Sequence, residues 1–63
     1  MSNIDIKLLE QIISDVEASL IEQDLQLSAQ RKAKLVAELY VSSLTRGEKP
    51  GRIVVDRLVW LAN

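Results

Sequence analysis

A chain of 63 residues with eight Lys or Arg against nine Asp or Glu, a net charge of −1 and no Cys or His excludes disulfides, the usual zinc ligands and a global pull towards nucleic acid. Its apolar content of 48% is almost entirely aliphatic, with one Trp, one Tyr and no Phe, and a single short domain has difficulty covering so much of it. No apolar run nears the ~18 residues of a membrane span, and the polar, acidic start from Met1 to Lys7 is no signal peptide, so a cytoplasmic protein is expected.

Ile6, Leu9, Ile13, Val16, Leu20 and Leu27 fall on alternating three- and four-residue steps, broken at Gln23, and predict a first helix over about residues 4–24. Asn3 or Asp5 is placed to cap its free amides. Carrying the same heptad onward would put Gln30 and Lys34 into an apolar seam, so a bend is expected near Leu25 to Ser28. Glu10, Glu17 and Asp24 repeat every seven residues along one flank of this helix. Two turns of separation, ~10 Å, is too far for neighbours to share a cation, and no metal is expected there.

Ser28 is positioned to cap a second helix over about residues 29–46, and Gly47 to end it in a left-handed turn. Ala29, Ala33, Val36, Ala37, Tyr40 and Leu44 form one face, on which the alanines permit close approach of the first helix. Leu35 and Leu39 fall on a different face and need a further partner, either a third helix or a second chain. Residues 47–51, Gly-Glu-Lys-Pro-Gly, are the evident loop, with Pro50 and Gly51 suited to the centre of a type II turn.

A short third helix follows over about residues 52–62, with Val54, Val55, Leu58, Leu61 and Ala62 as its apolar face. Ile53 and Trp60, seven residues apart, lie off that face beside Asp56 and Arg57. A Trp so placed reads as the anchor of an interface.

The expected fold is therefore a single all-α domain spanning residues 1–63. Helix 1 and helix 2 form an antiparallel hairpin, the third helix packs over helix 2, and the whole forms a homodimer through Leu35, Leu39, Ile53 and Trp60. Charge is uneven, at −5 over residues 1–28 and +3 over residues 29–47. Such opposition pairs helices, within one chain or between two. Arg31, Lys32 and Lys34 are placed to meet Glu22 and Asp24 across the bend, and together with Arg46, Lys49, Arg52 and Arg57 they are the candidate electrostatic contacts for a partner.

Catalysis is not expected, because the serines have no His to activate them and no carboxylate pair marks a cleft. No cofactor is implied. The function expected is non-catalytic binding to itself and to another protein, as a regulator or inhibitor of a larger host. The alternative is a dimeric DNA-binding regulator built on a helix-turn-helix-like unit of the second and third helices. It is disfavoured because the third helix presents few polar side chains to base edges.

Overall fold

The computed structural model describes residues 4–63, and within them the chain forms three helices and no strand. They are α1 (Ile6–Gln23), α2 (Ala29–Arg46) and α3 (Arg52–Ala62). Met1 to Asn3, and with them the alternative cap Asn3, lie outside the described residues.

Each boundary has a local cause. The Asp5 carboxylate accepts the Leu8 amide at 3.0 Å and opens α1, while the Ser28 hydroxyl accepts the Arg31 amide at 3.2 Å and opens α2. Gly47 closes α2 at φ 76°, a conformation that suits a residue without Cβ. At the end of α1 that task falls to Asp24, at φ 55° and ψ 46°. There the Leu25 amide reaches back to the Leu20 carbonyl at 2.9 Å and the Asp24 amide to Ile21 at 3.2 Å, the paired bonds of a Schellman ending. The type II turn expected at Pro50–Gly51 is not formed. Gly51 sits at φ −67° and ψ 155°, extended, and serves as the N-cap of α3, whereas a type II turn needs it at positive φ.

The core is small, consisting of Ile12, Val16 and Leu20 from α1, Leu35 and Leu39 from α2, and Val55 and Val59 from α3. Leu8, Leu25, Leu27, Val36, Tyr40 and Leu58 pack at its margin. Two buried hydroxyls lie among them: Ser43 donates to the Leu39 carbonyl at 2.7 Å, and Ser19 accepts from Gln23 Nε2 at 2.9 Å.

This arrangement corrects the expected packing in three places. On α1 the buried strip is Ile12, Val16, Ser19 and Leu20, and the first half of the anticipated seam turns outward, with Ile6 66% and Ile13 44% exposed. On α2 the expected face meets the core only through Val36 and Tyr40 at its margin, and Ala29, Ala33, Ala37 and Leu44 are exposed. Leu35 and Leu39 turn inward instead, because burying a leucine removes far more apolar surface from water than burying an alanine. These two leucines are therefore part of the chain's own core and are not free to form an interface. Finally, α3 packs chiefly on α1 rather than over α2. Its first two turns lie against the second half of α1, where Arg52 meets Glu22 and Gln23 reaches the Asp56 carbonyl. α1 and α2 are antiparallel, as expected, since Asp5 meets Tyr40 and Glu17 meets Lys32.

Asp24 yields a direct test of the α1 ending. Replacing it by Gly removes a left-handed backbone cost and an acidic group from the negative end of the helix dipole, partly offset by the freer unfolded chain. Asp24→Gly is expected to raise unfolding stability by about 0.5–1 kcal/mol in urea titration.

Candidate protein-interaction surface

Folding leaves much apolar surface uncovered. Ile4, Ile6, Ile13, Ile21, Val41, Leu44, Ile53, Val54, Trp60 and Leu61 are each between 44% and 78% exposed. An isolated exposed aliphatic residue is ordinary, but a contiguous patch calls for a partner.

One continuous patch is an open groove between α1 and α2, lined by Leu9 and Ile13 on one side and by Ala29, Lys32, Ala33, Val36, Ala37 and Tyr40 on the other. It exists because both helices carry two apolar strips. The inner strips, Ile12 with Val16 and Leu35 with Leu39, close the core, so Leu9 and Ile13 are carried to the flank facing the alanines of α2. The alanines at four-residue intervals make a shallow floor. Its ends are polar but occupied. The Tyr40 hydroxyl accepts the Asp5 amide at 2.7 Å, and Lys32 Nζ pairs with Glu17 at 2.9 Å. No part of α3 lines this groove.

A second apolar strip lies on the outer side of α3. Ile53 is 77% and Trp60 65% exposed, so this half of the expected interface set is on the surface. The sequence singled out this strip because Trp60 stands off the main apolar face of its helix. Periodicity does not reveal the groove, because Leu9, Ile13 and the alanines of α2 equally suit a direct contact between the two helices.

The expected basic contacts divide into two groups. Lys32 pairs with Glu17, Lys49 with Asp15 at 2.9 Å, and Arg52 with both Glu22 at 2.7 Å and Asp56 at 3.0 Å. Arg31 donates to the Ala62 carbonyl at 3.2 Å. Lys34, Arg46 and Arg57 form no ion pair among the described residues. Glu22 thus meets α3 rather than the opening of α2, and only Lys32 of the basic trio pairs with α1. Two of the four cations at the α2–α3 end, Lys49 and Arg52, are engaged by carboxylates of the same chain.

The α1–α3 seam is correspondingly polar at its edge. The Asp56 carboxyl is held below its ordinary value, first by the nearby Ser19 hydroxyl, with burial working against this and the hydrogen bond and charge of Arg52 adding to it. Arg52 is raised in turn, chiefly by its hydrogen bond to Asp56.

No protein-family model matches the chain, and no curated protein or solved structure shows significant similarity to it.

Because the folded-state pKa of Asp56 is depressed, its contribution to stability is present above the unfolded value of 3.8 and is lost as the pH falls through the lower folded value. Asp56→Asn is therefore expected to be less stable than the parent at neutral pH, with a constant gap above about pH 5 that narrows below pH 3.8. Urea titrations of both chains across that range check it.

Proposed function

We propose that this is a cytoplasmic, non-catalytic protein that self-associates and acts by docking on another protein, as a regulator or inhibitor of a larger host. What carries this reading is the apolar surface left uncovered by folding, present on two separate faces, the α1–α2 groove and the Ile53–Trp60 strip of α3. A second copy and a host protein can then occupy different faces. The strip combines a large aromatic and a β-branched aliphatic side chain with Arg57 alongside, and Trp and Arg are the residues that most often dominate binding energy at interfaces.

The protein-binding reading is favoured over DNA binding by the charge arrangement. A phosphate-facing surface draws on free cations, yet Lys49 and Arg52 are already paired with Asp15, Glu22 and Asp56.

Light scattering after size exclusion, over a wide concentration range, is expected to give twice the chain mass of 7.1 kDa. Trp60→Ala is expected to leave that mass unchanged and to alter unfolding stability by no more than about 0.5 kcal/mol, since the side chain is 65% exposed, while abolishing capture of the host from native extract. A monomer at every concentration contradicts self-association, and host capture unaffected by Trp60→Ala contradicts the docking role of α3.

A further inference from the structure

We infer that the α1–α2 groove is the self-association face, and that its occupant is the same hairpin of a second copy, placed so that α1 of each chain lies along α2 of the other. This rests on the self-associating reading above and specifies its partner and geometry.

Three observations lead to it. First, the groove is shaped for helices and nearly free of polar groups. Leu9, Ile13, Val36 and Tyr40 form its walls and Ala33 and Ala37 its floor, and the one hydroxyl at its edge already accepts the Asp5 amide. An antiparallel helix pair with an open apolar face becomes a four-helix bundle when it stacks on another such pair.

Second, the chain exposes more surface than its mass requires. A folded monomer of 7.1 kDa exposes about 4,100 Å² by the usual scaling with mass, whereas this chain exposes 4834 Å². Large apolar side chains held outward, Ile13 at the groove among them, are part of that surface.

Third, the charges choose both the occupant and its orientation. Asp15 and Glu22 of α1 are held by Lys49 and Arg52 on the α3 flank, but Glu10 and Glu17 fall beside Leu9 and Ile13 on the groove side of α1, whereas α2 carries Lys32 in the groove lining and Lys34 without an ion pair among the described residues. Two stacked hairpins related by a two-fold axis have two simple arrangements. One places α1 on α1 and α2 on α2, acid on acid and base on base. The other places α1 on α2 in both halves, with opposite charges adjoining; neighbouring helices are antiparallel in either arrangement. The second is favoured, and it needs no complement that the chain does not itself carry.

The test compares wild type with Ala37→Glu, Ala33→Glu and Trp60→Glu by light scattering at matched concentrations, with helicity followed by circular dichroism. Both alanines are exposed, and glutamate is a good helix former, so the groove variants retain the fold. Their dimer dissociation constants are expected to rise on the order of 100-fold, because each places an unpaired carboxylate in a dry interface, while Trp60→Glu stays dimeric. In parallel, the Cys-free chain permits single-thiol variants Ile13→Cys and Ala37→Cys to be mixed and oxidised. The mixed disulfide is expected in excess over both homodisulfides. Predominant homodisulfides overturn the α1-on-α2 orientation. Dimers that survive both groove variants and dissociate with Trp60→Glu overturn the groove while leaving self-association standing. A wild type that is monomeric throughout overturns self-association and the groove together.

Discussion

Everything in this fold depends on the inner strip of α1. Ile12, Val16 and Leu20 are the side chains against which both α2 and α3 close, and with Leu35, Leu39, Val55 and Val59 they make up the buried apolar core among the described residues. Each of these side chains stabilises the folded chain by ~1.5–3 kcal/mol, against a conformational entropy cost of ~1–2 kcal/mol for every residue ordered. A core of this size holds the three helices together with little margin, and it uses only one of the two apolar strips on α1 and α2.

The polar interactions serve orientation more than stability. Asp15 and Glu22 of α1 reach Lys49 and Arg52, and Arg52 also holds Asp56 one turn along α3, all at or near the surface, where such pairs contribute at most about 1 kcal/mol each. Their effect is positional. By pairing the acidic side of α1 with the loop and first turn ahead of α3, they fix which flank α3 occupies and so leave the opposite flank, Leu9 and Ile13, open beside α2.

Sequence features with a strictly local cause were legible. The helix starts at Asp5 and Ser28 follow from carboxylate and hydroxyl caps, and Gly47 ends α2 because its backbone requires no Cβ. The three-helix composition follows from periodicity. What was not legible was the choice among faces. Ile12 and Ile13 are adjacent in sequence and ~100° apart on the helix, and periodicity alone gives each a good strip. Only the placement of α3 against α1 decides that Ile12 is buried and Ile13 is half exposed. The same ambiguity moved Leu35 and Leu39 from a supposed interface into the core and turned the alanine face of α2 outward. Trp60 was legible as a surface residue because its neighbours on the wheel, Asp56 and Arg57, are polar and the broader apolar face of α3 excludes it.

The surplus apolar surface and the small core are one fact, since the side chains that would enlarge the core lie on its outside. Covering them with a second chain couples folding to association, so that stability depends on protein concentration. The direct measurement is the thermal unfolding midpoint over a hundredfold range of concentration. A midpoint that rises steadily with concentration is the result this account predicts; a midpoint independent of concentration, with the helices intact below it, would contradict it.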